Sequence, residues 1–188
     1  MASGAAAVAA DASWAGRTPE VRYLEVGGTG PVERQGALRA CGNTRFEDVP
    51  PVRCFPSYRG QRSFPGLYFA ACMGRHVGFE SWLERDQLMM LDFSLWVRSF
   101  SAQPFWLLWS SGGKTRRHAP DFFVRLPDGR GVVVDVRADD RIESADAEAF
   151  GATAAACGVG RNLSPAANER IGAGQGVVCS SLCSARWR

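Results

Sequence analysis

Four carboxylates and one arginine in the middle of this 188-residue chain are spaced to act together. Glu80 and Glu84 stand four apart in Phe79-Glu80-Ser81-Trp82-Leu83-Glu84-Arg85-Asp86, so on a helix they neighbour each other on one face. Asp121 lies in His118-Ala119-Pro120-Asp121-Phe122-Phe123-Val124. Asp135 and Arg137 lie in Val132-Val133-Val134-Asp135-Val136-Arg137. Carboxylates brought together from a helix and two strands are ligands for a hard divalent cation, and Mg2+ typically uses one or two of them plus water and phosphate oxygens. The chemistry such a donor set serves is metal-assisted phosphodiester hydrolysis. The helical pair also fits a solvated acidic face favoured by the dipole near a helix N-terminus.

The elements that must position these groups follow from the turn signals. Pro127-Asp128-Gly129 is a turn, with Pro fixing φ and Gly supplying a positive φ. A hairpin centred on Asp128 puts Leu126 opposite Arg130 and, counting outward, Asp121 opposite Asp135. Directly opposed residues share a face, with Cβ atoms roughly 4.5–5.5 Å apart. Phe122, Val124 and Leu126 then share one face with Val132, Val134 and Val136, and Asp121, Asp135 and Arg137 share the other. Two carboxylates about 5 Å apart repel by roughly 3 kcal/mol at an effective dielectric near 20. A bound cation, a raised pKa or a nearby arginine must answer that repulsion.

The rest of the composition sets bounds. Apolar residues make up 46% of the chain, the share of a globular protein with a core. No apolar run reaches the ~18 residues of a membrane span. The Ala-rich start does not read as a secretory signal, which points to the cytoplasm. The net charge of +3 hints at an anionic partner, and Lys114 is the only lysine. An Arg-, Ala- and Gly-rich chain is what a GC-rich coding sequence yields, and arginine forks also suit phosphate. Cys41, Cys54, Cys72, Cys157, Cys179 and Cys183 lack zinc spacing and a secretory context, and His76 and His118 stand alone, so reduced thiols are expected.

In chain order, residues 1–66 read as a partly disordered N-terminal arm, with a short strand at Val21–Val26. Its stretch 41–66 interleaves Arg45, Arg53, Arg59 and Arg62 with aromatics and prolines, suited either to nucleic-acid contact or to an arm packed on the domain. Residues 67–156 read as the core. It holds a strand at Leu67–Met73, a turn at Gly74–His76, a helix over Glu80–Phe93, and strands at Trp96–Phe100 and Phe105–Trp109. A flexible hairpin loop at Ser110–Arg117 follows, carrying Lys114, Arg116 and Arg117. Then come the two aspartate strands and a helix over Glu143–Ala156. Beyond Cys157 no period holds, and residues 157–188 read as an irregular tail in which Gly176–Cys179 is a weak strand candidate.

Glu84, Pro120-Asp121 and Asp135-Val136-Arg137 resemble the PD-(D/E)xK nuclease signature. The helix around Glu84, Gln103-Pro104-Phe105 and His118-Ala119-Pro120-Asp121-Phe122 resemble, more narrowly, the TnsA-like endonuclease subunit of heteromeric transposases, over residues 77–156. The resemblance implies an α/β fold with a restriction-endonuclease-like core, a mixed central sheet flanked by helices. It implies a Mg2+-dependent endodeoxyribonuclease (Mn2+ also serving) that cuts the 5′ ends of a transposon in double-stranded DNA. A transposase subunit, with an AAA+ ATPase regulator as a further candidate, would be its partner, and no membrane would be involved.

Carried over, Asp121 and Asp135 would bind the metal, Glu84 would be the third acid with Glu80 its alternative, and the Val136 carbonyl would be a further ligand. Arg137 stands where the family has lysine. It stays charged, so it cannot act as a base, but it can stabilise charge developing on phosphate. A catalytically weak DNA-binding or assembly module, or a restriction-like or junction-resolving nuclease, shares these residues.

Overall fold

The computed structural model describes residues 19–41, 43–55, 59–61, 64–138, 142–157 and 177–183. The expected disordered lead, Arg62 of the arginine-aromatic stretch and most of the expected tail lie outside the described residues. The fold is mixed α and β. Its strands are β1 (Glu20–Gly27), β2 (Gly30–Ala37), β3 (Gly66–Ala70), β4 (Arg75–Phe79), β5 (Ser99–Ala102), β6 (Trp106–Ser111), β7 (Lys114–His118), β8 (Phe122–Arg125), β9 (Gly131–Val136) and β10 (Val177–Cys183). Its helices are α1 (Trp82–Phe93) and α2 (Ser144–Ala156).

The strands form two four-stranded sheets, β2-β1-β6-β7 and β10-β9-β8-β5, beside the hairpin β3-β4. Every described ladder is antiparallel, which corrects the expectation of a mixed sheet. Among the described strands no parallel pair forms, and β10 returns antiparallel to β9. Val177–Cys183 is therefore a strand, where the sequence offered only a weak candidate.

The second sheet is the middle layer. Every residue of β8 and β9 is buried, which is why both read as nearly unbroken apolar runs. On one face Phe122, Val124, Val132, Val134 and Val136 pack with Leu88 and Leu91 of α1 and with Val77 and Phe79 of β4. On the other, Phe123 and Val133 pack with Val21, Tyr23, Leu107 and Trp109 of the first sheet and with Ala149 and Ala152 of α2. Phe46, from the stretch read as an arm, sits fully buried in this second cluster, its ring 4.9 Å from Phe105 and 5.5 Å from Phe123 between centroids. Next to it, the Arg125 guanidinium forks onto Glu47 (Nε–Oε1 3.1 Å, Nη2–Oε2 2.6 Å), tying the N-terminal segment to the hairpin. Arg45 pairs with Asp48 and Arg53 with Glu80, so these two arginines lie at the rim of a packed segment.

One corner joins the layers. The β5 strand runs into β6 through Gln103-Pro104-Phe105, and β7 runs into β8 through Ala119-Pro120-Asp121. Between the pairs Ala102↔Phe122 and Leu107↔His118, one strand has four residues (103–106) and the other three (119–121). The extra residue falls at the corner where both strands pass from one sheet to the other. The two prolines suit it, because neither has an N–H to give a ladder. Gln103 takes the strain. Its φ is +46°, the only positive φ outside glycine among the described residues, and its N–H donates to the Asp121 carbonyl at 2.9 Å.

Candidate active site

The hairpin register fixes the central pair. Phe122 faces Val134, Phe123 faces Val133 and Val124 faces Val132, so one step further out residue 121 stands opposite residue 135. The Leu126 N–H donates to the Arg130 carbonyl at 2.9 Å, and the turn around Asp128 closes as its Pro-Asp-Gly sequence requires. Asp121 and Asp135 are both buried, at 6% and 2% exposure. Asp121 Oδ2 accepts the Val136 N–H at 2.7 Å. Burial pushes the Asp121 carboxyl up to about 8, and the negative charges of Asp135 and Glu84 add to the rise; the Val136 N–H and Arg137 oppose it. Asp135 Oδ1 lies 2.7 Å from His118 Nε2, while Asp135 Oδ2 is buried without a hydrogen-bond partner.

His118 completes the pair, and sequence reasoning left it isolated. It ends β7 opposite Leu107, and the corner at Ala119-Pro120 carries it over β9. Burial works against its protonation, but the Asp135 carboxylate outweighs that and, helped by Asp121, raises its pKa above the usual histidine value. The Phe150 ring of α2 packs edge-on at 6.5 Å and helps hold the imidazole in place.

Glu84 reaches the site by charge more than by contact. Its carboxylate serves the start of α1. Oε2 accepts the Glu80 N–H and Oε1 accepts the Ser81 hydroxyl, both at 2.8 Å, while the Glu84 N–H donates to Ser81 Oγ at 3.2 Å. This reciprocal cap is why the helix begins at Trp82. Burial raises the Glu84 pKa against these hydrogen bonds, with the Glu80 charge adding to the rise and Arg137 opposing it. Glu80 itself turns to Arg53. Arg137 lies between two acids, Nη1 3.9 Å from Asp121 Oδ2 and Nε 3.4 Å from Asp146 Oδ1, and its Nη1 also donates to the Val136 carbonyl at 3.1 Å.

The arrangement thus gathers Asp121, Asp135, Arg137, His118 and the charge of Glu84. It leaves Glu80 apart and uses the Val136 carbonyl on Arg137. Among the described residues no three His, Cys, Asp or Glu side chains form a group that could hold a metal ion. The donors present fit a hard cation in a different way. Two facing carboxylates, one with a buried oxygen left over, match the one or two protein carboxylates that Mg2+ takes while keeping water and phosphate oxygens. Among the described residues, Cys41, Cys54, Cys72 and Cys157 form no disulfide.

No family model, curated protein or solved structure matches the chain.

Gln103 is the second residue whose part the sequence did not announce. Its motif was visible, but its strain was not. Its side chain is 1% exposed, and neither amide atom has a hydrogen-bond partner. A strained backbone and an unsatisfied buried amide one bond from the Asp121 strand mark this corner as costly, and such costs collect at functional sites. No helix among the described residues is long and apolar enough to cross a membrane.

Proposed function

We propose that this chain is a metal-dependent DNA endonuclease whose reaction centre is the Asp121–Asp135 pair. The observation that carries the reading is the pair itself. Two carboxylates face each other in a buried layer, one of them forced up to about 8 and the other left with an unpartnered oxygen. A fold gains nothing in stability from that arrangement, since apolar residues of similar volume there would cost less. A divalent cation, when bound, would polarise a phosphate and lower the pKa of an attacking water.

The protein groups have separate tasks. Asp121 and Asp135 would hold the cation. His118 fixes the orientation of Asp135 through their 2.7 Å contact, and the Val136 N–H does the same for Asp121. The Arg137 side chain, 40% exposed, can swing from Asp146 to a phosphate and stabilise charge there as a permanent cation. Glu84 adds negative field and secures the start of α1. The placement of this activity in a heteromeric transposase, cutting at transposon ends beside a transposase subunit, rests on the motif resemblance alone.

One observation favours a second reading. Arg137 lies within reach of both Asp121 and Asp146, so it can neutralise the site in place of a metal. The chain would then be a DNA-binding or assembly module. Thermal unfolding with and without Mg2+ or Mn2+ separates the two. The enzyme reading expects the cation to raise Tm through binding linkage and Asp121→Asn to abolish that rise. A Tm indifferent to both cations in the wild type would favour the module.

A further inference from the structure

We propose that β7 is a phosphate-tracking strand, along which a DNA duplex lies when one of its phosphates occupies the Asp121–Asp135 site. The inference rests on the nuclease reading and names the surface that positions its substrate. The stretch expected to be a flexible loop is a strand. Lys114–His118 pairs with β6 across a two-glycine turn, Gly112 (φ +56°) and Gly113 (φ +74°), the conformation that favours Gly-Gly in tight hairpins.

Strand alternation then sorts the charges. Lys114, Arg116 and His118 share one face, spaced about 7 Å apart. His118 is the residue that contacts Asp135. The basic side chains thus form a line that ends at the reaction centre. Arg117, on the other face, lies with its guanidinium 4.6 Å from the Trp106 ring centroid. Stacking holds it while leaving its N–H edge open.

Several arginines elsewhere on the surface pair with acids, Arg34 with Glu25, Arg45 with Asp48 and Arg130 with Asp128, whereas the exposed Arg59 and Arg98 are single cations rather than a row. Among the described residues no carboxylate lies within 4.0 Å of Lys114, Arg116 or Arg117. Glu148 of α2 is near enough to feel Arg116, but its Oε1 accepts from Trp109 Nε1 at 3.2 Å. All three basic residues are exposed, and β7 is the edge of its sheet. Phosphate is the complementary charge at the site, and a duplex presents it in a continuous line.

Basic residues on an edge strand also guard against pairing with a second chain, so the test must tell the two roles apart. Binding is measured by fluorescence anisotropy on two labelled duplexes of unrelated sequence, in EDTA, in an Asp121→Asn background, between about 50 and 200 mM salt. Asp121→Asn with Lys114→Ala and Arg116→Ala added should bind both duplexes roughly tenfold more weakly at the low-salt end. The slope of log K against log[salt] should shrink by about 2, close to one for each phosphate no longer neutralised. Arg117→Ala should shrink it by about 1, and Arg34→Ala, on the far strand β2, should leave it unchanged.

An unaltered slope in the Lys114/Arg116 variant would overturn the proposal, all the more if that variant self-associates, the mark of an edge guard. So would a loss confined to one sequence, because phosphate contacts carry no sequence information. Cleavage is not read in this experiment. A wild-type chain that cuts DNA while these variants bind normally would therefore leave the nuclease reading intact and remove only the track.

Discussion

Asp121→Asn should make the metal-free protein more stable, and the size of the gain should depend on pH. In the folded chain, burial and the charges of Asp135 and Glu84 hold the Asp121 carboxyl at about 8, against 3.8 for an ordinary aspartate. Between those values the folded state keeps a proton that the unfolded chain has released. Stability is therefore full below about pH 4, falls as pH rises, and levels off above about pH 8. Each pH unit in that window is worth about 1.4 kcal/mol, so roughly 4 kcal/mol has been withdrawn by pH 7. Asparagine keeps a carbonyl oxygen for the Val136 N–H and has no charge to bury. Giving up the 3.9 Å ion pair with the half-exposed Arg137 should cost at most about 1 kcal/mol. Urea unfolding in EDTA, at steps from about pH 4 to about pH 8, measures both proteins. The wild type should lose stability across the series far more steeply than the variant, and the curves should diverge as pH rises. Parallel curves, or a variant less stable than the wild type at pH 8, would refute the claim that Asp121 is a carboxylate forced into burial beside other charges.

Three other perturbations probe separate parts of the structure. Arg137→Ala should lower DNA cleavage by two to three orders of magnitude, about 3–4 kcal/mol of transition-state stabilisation, while Arg137→Lys keeps much of the rate; single-turnover kinetics measures both. Glu47→Ala removes the carboxylate that the buried Arg125 guanidinium forks onto and should destabilise the fold by about 3–5 kcal/mol, read by chemical unfolding. Gln103→Gly should relieve the positive φ and remove the unsatisfied amide, raising stability by about 1–2 kcal/mol; a drop in stability would mean that the amide has partners in solution.

What the sequence made legible was local. Pro127-Asp128-Gly129 fixes a turn, and a turn fixes register, so the facing of Asp121 and Asp135 followed from counting. The helix at Glu80–Phe93 was visible in its apolar stripe, and its start in fact depends on Ser81 and Glu84. The strands that escaped were those whose residues carry no alternation of burial. In β7 nearly every side chain faces water, so a run of Lys114, Arg116 and Arg117 reads as loop. In β4, Gly78 interrupts the pattern because the Phe55 ring packs where its Cβ would be.

His118 was missed for a different reason. Its partner Asp135 lies 17 residues on, and only the corner between β7 and β8 brings the two together. Nor could composition show that Phe46 and Glu47 belong to the core, since both are held by residues about 60 to 80 positions away.

On the proposed function, Asp121 and Asp135 together cut DNA with a divalent cation. Supercoiled plasmid incubated with purified protein in Mg2+, Mn2+ or EDTA, with Asp121→Asn and Asp135→Asn run beside the wild type, tests it most directly. Nicks should appear with the wild type in the presence of a cation and not in EDTA, with at least roughly a hundredfold less nicking by either variant. Nicking by both variants at the wild-type rate, or none by the wild type even with a cognate transposase subunit and transposon-end DNA, would contradict it.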